Sequence, residues 1–201
     1  MPAHFPICLD LAGKRCLVVG SGPEAQRKAA ALRRAGAHVT IATQFAPDDL
    51  DGCMLAIAAD VDLALGGTVS RAARARGILV NVSDRPELCS FIMPAVIDRA
   101  PVVLTISTGG ASPALARRLR EMLDAIVPRR LGALAALAGE FRVRVRQRIP
   151  DPTTRRAFWD QLLEGPVARL ALAGEQEAAR RRLESALAVE ADSRVAPREV
   201  A

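Results

Sequence analysis

The chain has 201 residues, half of them apolar, which is enough for a proper core and for one domain with an appendage or two small domains. Its net charge of +6 is almost all arginine, the lysines being Lys14 and Lys28, and aromatics make up 3% with tyrosine absent. A basic surface attracts polyanions, but so few aromatics leave little for base stacking; a small multi-carboxylate ligand fits at least as well, and a nucleic-acid partner is not expected. No apolar run is long enough to span a bilayer and Met1-Pro2-Ala3-His4 lacks a basic start, so neither a membrane partner nor a signal peptide is expected and the expected location is cytoplasmic.

In chain order, Arg15 to Gly20 is a short apolar run after the turn Ala12-Gly13-Lys14 and reads as a buried strand. Pro23 to Ala35 repeats its apolar residues at helical spacing and is closed by Gly36. His38 to Ala42, Met54 to Ala59 and Ile78 to Val82 read as strands, with a helix from Leu63 to Arg76 before the last of them. Strands alternating with helices imply an α/β, doubly wound parallel sheet of the Rossmann kind. After Pro94, Val96-Ile97 and Val102 to Ile106 flank a turn at Asp98-Arg99-Ala100-Pro101, with Asp98 and Arg99 a candidate ion pair. Helices are then expected over Pro113 to Ile126, Leu131 to Arg148, Pro152 to Leu163 and Val167 to Leu187, with a frayed tail from Ser193 to Ala201.

The division expected is a Rossmann-like domain over residues 1–93, a small mixed segment over 94–148 and a helical C-terminal domain over 149–201. The run Leu131 to Ala138 is apolar on nearly all sides and needs burial against another helix or another subunit. The cysteines at 8, 16, 53 and 89 form no CxxC pair and the histidines are only His4 and His38, so the thiols read as small buried hydrophobes and no metal centre is expected.

Gly20-Ser21-Gly22-Pro23-Glu24-Ala25 is a GxGxxA motif between the first strand and the first helix. Gly20 permits the tight turn, Gly22 lets backbone approach a pyrophosphate, and Ala25 keeps the helix close to the strand. The acidic residue that usually binds the ribose at the end of strand two is replaced by Ala42-Thr43-Gln44. Gln44 can bond a ribose hydroxyl without excluding a 2′-phosphate, so the residues leave NAD and NADP open. The candidate cofactor set is Gly20, Ser21, Gly22, Pro23, Glu24, Gln44, Phe45, Ala58 and Ala59. Asp60, next to this set, puts a carboxylate near the expected pyrophosphate and should repel it.

The stretch from Asn81 to Arg120 holds the other candidates. Asp84 follows a buried strand; by itself it reads as an Asp capping a turn before Pro86. Ser107-Thr108-Gly109-Gly110 follows a second strand and precedes a helix opened by Ser112 as N-cap and Pro113 at its first position. The glycine pair ahead of that helix offers N–H groups suited to an anion.

This stretch resembles the precorrin-2 dehydrogenase/sirohydrochlorin ferrochelatase family, the N-terminal module that makes sirohaem. The matching pieces are Asn81-Val82-Ser83-Asp84, Glu87 to Pro94 with Asp98-Arg99-Ala100-Pro101, Ile106 to Pro113 with Leu115-Ala116-Arg117, Phe5-Pro6 and Leu9 before Gly13 to Gly20, and Arg155-Arg156 with Phe158-Trp159. The resemblance implies NAD-dependent oxidation of precorrin-2, iron insertion with Fe2+ as substrate, a homodimer built on the middle segment, and a site between that segment and the NAD fold. It assigns catalysis to Asp84, as a base in both steps, and binding of the tetrapyrrole carboxylates to Ser107, Thr108, Gly109 and Gly110. The methyltransferase module fused to some relatives is expected to be absent. Two departures stand out: Gln44 is joined to the next strand by nine residues where the family usually places an edge strand, and Asp60 and Gly66 stand where the family tends to have Thr and Asn. These departures keep open a chain with one activity only, or a non-catalytic tetrapyrrole- or dinucleotide-binding relative.

Overall fold

A computed structural model describes residues 4–192, and the expected frayed tail lies outside them. These residues form two compact units, one of residues 4–94 with 107–113, the other of residues 95–106 with 114–192.

The first unit is built on β1 (Arg15–Val19), α1 (Pro23–Arg34), β2 (His38–Ala42), β3 (Cys53–Ala58), α2 (Leu63–Ala75) and β4 (Leu79–Val82). All pairings are parallel and the strand order is β2-β1-β3-β4. β1 is central, and alternation of side chains along it explains why all but its first residue are buried. Cys16 and Val18 pack with Ala25, Ala29 and Leu32 of α1 on one face. Leu17 and Val19 pack with Val69 and Ala73 of α2 on the other. Much of this contact is alanine: Ala25, Ala29, Ala56, Ala58, Ala59 and Ala73 are all fully buried. β2 is the sheet edge, and the link from it to β3 holds a single 3-10 turn, Pro47–Leu50, whose Leu50 is buried in the second cluster. An edge strand can be lost without opening the centre of the sheet.

The second unit begins with β5 (Ala95–Arg99) and β6 (Val102–Ile106), an antiparallel hairpin turned at Ala100-Pro101, whose peptide bond is cis. The turn is shorter than the sequence implies, because Asp98 and Arg99 belong to β5. They are not an ion pair: Asp98 accepts from the Ala100 N–H at 3.0 Å, while Arg99 pairs with Asp124 at 2.9 Å and also donates to the Val127 carbonyl at 3.4 Å. Arg99 thereby satisfies carbonyls left open at the end of α3 (Pro113–Ile126).

The helices α4 (Leu131–Arg148), α5 (Pro152–Glu164), α6 (Pro166–Ala173) and α7 (Gln176–Asp192) share one core of larger side chains, among them Leu134, Leu137, Phe141, Phe158, Leu162 and Leu183, on both sides of residue 148. Asp151 caps α5 by accepting from the Thr154 N–H at 2.7 Å. The apolar run at the start of α4 finds its partners here, in α6 and α7 of its own chain, so its composition is explained without a second subunit. Gly132 is part of the same fit: a Cβ there would lie 2.1 Å from the Ala100 carbonyl oxygen, so α4 sits directly on the hairpin turn. The single helix expected over Val167 to Leu187 is two helices, broken at Gly174-Glu175, where Gly174 is left-handed and its N–H closes on the Leu170 carbonyl at 3.1 Å. α3 differs from the rest. It buries no residue, and Leu115, Met122 and Ile126 are at least half exposed, as is Val103 of β6.

Candidate functional site

The strand order reverses beside β1, so the crevice of the first unit opens at the carboxyl ends of β1 and β3. The loop after β1 is fixed from both sides. The Gly20 N–H donates to the Ala42 carbonyl at 2.8 Å, and the Ala59 N–H donates to the Val19 carbonyl at 3.0 Å. Gly20 has φ +124°, and a Cβ on it would lie 1.8 Å from the Ala59 oxygen, so both conformation and space require glycine. α1 then starts at Pro23 with Gly22 in the cap position, where no side chain of its own satisfies the open N–H groups.

That task falls to Asp60. Its Oδ2 accepts from the Ala25 N–H at 2.9 Å. Asp60 directly follows Ala59 and is held at φ +57°, in the left-handed region that a non-glycine residue rarely adopts. A Cβ on Gly22 would come within 2.5 Å of the Asp60 carboxyl carbon. The space over Gly22 is therefore not open, as the motif alone suggests: a carboxylate of the same chain stands in it. The loop and helix end are an anion seat, as a dinucleotide requires, and the anion seated there is Asp60.

Beside this seat is a cavity of about 210 Å³ lined by Glu24, Asp60, Val61, Asp62, Val82, Ser83, Asp84 and Arg85. Pockets for drug-sized ligands run to roughly 300–1,000 Å³, so this one takes only part of a dinucleotide as it stands. Of the sequence candidates it brings together Glu24 and Asp84. Asp84 sits just beyond β4, exposed, at φ +59°. Glu24 is held by three groups: its Oε1 lies 3.3 Å from Arg27, 3.4 Å from Lys28 Nζ and 3.4 Å from the Ser83 hydroxyl. Lys28, almost fully buried, donates to Asn81 Oδ1 at 3.0 Å, and Asn81 donates through Nδ2 to the Phe91 carbonyl at 3.1 Å. Lys28, Asn81 and Ser83 were not singled out in the sequence as site residues. The signals were the resemblance over Asn81-Val82-Ser83-Asp84 and Lys28 itself, one of two lysines in an arginine-rich chain and placed on the apolar face of α1.

The other candidates are placed differently. Ala58 and Ala59 are fully buried, which leaves their backbone as the part able to meet a ligand. Gln44 is exposed just after β2, and Phe45 packs into the α2-side core beside Leu50. In the Ser107–Gly110 loop the hydroxyls bond locally: Ser107 Oγ accepts from the Gly109 N–H at 3.1 Å, and Thr108 Oγ1 both accepts from the Ser112 N–H and donates to the Ser112 carbonyl, each at 3.1 Å. Gly109 and Gly110 have φ +64° and +86°, so backbone conformation explains the pair.

The cysteines do not form a cluster. Cys8 is exposed, against expectation; Cys16 is buried, and Cys53 and Cys89 are half-buried. Burial pushes the Cys16 and Cys53 thiols up, which lowers their reactivity. No helix among the described residues is long and apolar enough to cross a membrane.

Three family models match the chain: "Putative NAD(P)-binding" over residues 7–95, "Sirohaem biosynthesis protein central" over 104–126 and "Sirohaem synthase dimerisation region" over 130–187. A siroheme synthase of Thioalkalivibrio sulfidiphilus is 43% identical over 217 residues, covering 98% of this chain, and one of Methylococcus capsulatus is 46% identical over 199 residues, covering 89% of it. The chain belongs to the sirohaem synthase family. It spans less than half the length of these relatives, 44% and 42%. The first alignment is longer than the chain, so that relative carries residues without a counterpart here. Among solved structures, "SirC, precorrin-2 dehydrogenase" aligns with TM-score 0.70 over 90% of this chain and all of its own, at 23% identity, which shows a shared fold. The Rossmann-like sheet and helical C-terminal part expected from the sequence are both present, in a fold shared with that structure.

Proposed function

We propose that the chain oxidises precorrin-2 to sirohydrochlorin with NAD+ and inserts Fe2+ to give sirohaem. The observation that carries this reading is the Rossmann crevice, where an anion-seating loop and an acidic cavity containing Asp84 lie side by side on one sheet. The relatives named siroheme synthase supply the substrate class. In this reading the loop Gly20–Glu24 holds the dinucleotide pyrophosphate, Gln44 meets a ribose hydroxyl, and Phe45, Ala58 and Ala59 wall the cofactor side. Bound NAD+ would accept the hydride. Asp84, exposed beyond β4, takes the proton released as the macrocycle is oxidised. In iron insertion, two pyrrole protons leave as Fe2+ enters, and the same carboxylate receives them in turn. Ser107, Thr108, Gly109 and Gly110 receive the substrate's carboxylates, which requires the Ser107 and Thr108 hydroxyls to exchange their local bonds.

The proposal includes a homodimer. Its support is the dimerisation-region match and the exposed apolar face of α3. Residues 1–93 are expected to hold the cofactor, 94–148 to supply the self-association segment expected from the sequence, with residues up to 187 added by the family match, and α5 to α7 to complete the helical part. The activity is assigned to the cytoplasm. A second reading, iron insertion alone, is favoured by one observation: the anion seat already holds Asp60.

The deciding experiment is anaerobic incubation with precorrin-2 and NAD+, then Fe2+ or Co2+, followed by absorbance. Formation of sirohydrochlorin with stoichiometric NADH supports the first reading; chelation of ready-made sirohydrochlorin without dehydrogenation supports the second. A further result is expected at Gly22. Gly22→Val should bring NAD+ binding below detection in a calorimetric titration. Its side chain also displaces Asp60, so a small stability loss of about 1 kcal/mol, the worth of a helix cap, should accompany it. Unchanged NAD+ affinity would remove the dinucleotide assignment.

A further inference from the structure

We propose that Asp60 is an internal competitor for the cofactor's pyrophosphate and thereby sets this chain's affinity for NAD+; the inference rests on the dinucleotide reading above. α1 has no cap side chain at Gly22, and Asp60, 35 residues from Ala25, supplies one by accepting the Ala25 N–H. Its carboxylate fills the space directly over the Gly22 backbone, which is the approach a pyrophosphate needs. The two anions therefore exclude each other sterically as well as by charge. The competitor is held by its backbone: Asp60 sits at φ +57° next to Ala59, whose oxygen is locked against Gly20. The neighbouring carboxylates of Glu24, Asp62 and Asp84 add to the field that an arriving phosphate meets, with Arg85 the one cation in the cavity lining among the described residues. Asp62 caps α2 by accepting the Leu65 N–H at 2.8 Å, and Glu24 is held by Lys28, so Asp60 is the group that must leave the seat when the cofactor arrives. The seat then has two occupants in exchange: the chain's own carboxylate without cofactor, and the dinucleotide phosphates with it. Apparent affinity is the intrinsic affinity reduced by the cost of releasing Asp60.

The test uses the full chain and three proteins: wild type, Asp60→Asn and Asp60→Thr. Each is titrated calorimetrically with NAD+ and, separately, with inorganic pyrophosphate, and each is melted without ligand. The expected result is NAD+ and pyrophosphate binding both tightened about fivefold or more in the two variants. Without ligand, the Asp60→Thr midpoint should fall by about 2–5 °C, because the charged cap is lost and a β-branched residue is strained at this left-handed backbone, whereas Asp60→Asn, which keeps a cap oxygen and tolerates that backbone, should melt close to the wild type. A purely structural Asp60 would lower the midpoint without tightening either ligand, and that result overturns the proposal. Tighter NAD+ with unchanged pyrophosphate also overturns it, since the gain would lie elsewhere in the site. Failure of all three proteins to bind NAD+ overturns the dinucleotide reading and this inference with it, whereas wild-type binding that the variants leave unchanged overturns this inference alone.

Discussion

Asp84→Asn should fold as the wild type does and lose dehydrogenation by roughly 10²–10⁴-fold, the range for removal of a general base. The substitution isolates the chemistry because of the backbone at this position. Asp84 has φ +59°, and asparagine, with aspartate, is among the few non-glycine residues that tolerate the left-handed region. Alanine there would add strain on top of the lost carboxylate and confuse the two. The side chain is exposed and lines the cavity, so no packing is lost when oxygen becomes NH2. The measurement is NADH formation from precorrin-2 alongside calorimetric NAD+ affinity. Turnover falling with NAD+ affinity unchanged assigns Asp84 to the reaction; turnover within a factor of two of wild type takes it out of the mechanism.

Gly20→Ala should have the largest effect on stability. The added methyl would stand 1.8 Å from the Ala59 oxygen, at a backbone φ of +124°. Strain at such a position costs on the order of 1–3 kcal/mol and overpacking against fixed backbone a similar amount. Neither neighbour can give way easily, because the Gly20 and Ala59 N–H groups are both tied to adjacent strands. The melting midpoint of the Rossmann-like unit should fall by roughly 10 °C or more. Gly67→Ala is the control: nothing lies within 4 Å of its added Cβ and it sits inside α2, so it should be neutral or slightly stabilising. Equal melting of Gly20→Ala and wild type would mean that the β1–β3 contact opens more readily than this geometry allows.

The alternation of short apolar runs with helices was enough to read the parallel sheet, because β1 is buried on both faces and is continuously apolar from Cys16 to Val19. The GxGxxA loop was legible because motif and strand end coincide; the residues alone placed Asp84 just beyond a strand, and its role came from the resemblance. The Asp60 carboxylate was recognised as a neighbour of the cofactor loop, but not its bond to Ala25. The link between Lys28 and Asn81 was also out of reach, since its members are 53 positions apart and no local pattern joins them. The break at Gly174 went unread because the apolar spacing of Val167, Leu170 and Ala171 continues beyond it, and only the backbone reveals the interruption.

The two units differ in how change would erode them. In the Rossmann-like unit much of the contact between helices and sheet is alanine, with little to remove and no room for more, so the damaging substitutions are those that enlarge a residue. In the helical unit the interior is held by Phe141, Phe158, Leu162 and Leu183, and there the damaging substitutions are those that truncate and leave a cavity. Neutral drift is thus channelled in opposite directions along one chain: the cofactor half keeps its small residues small, and the helical half keeps its large residues large.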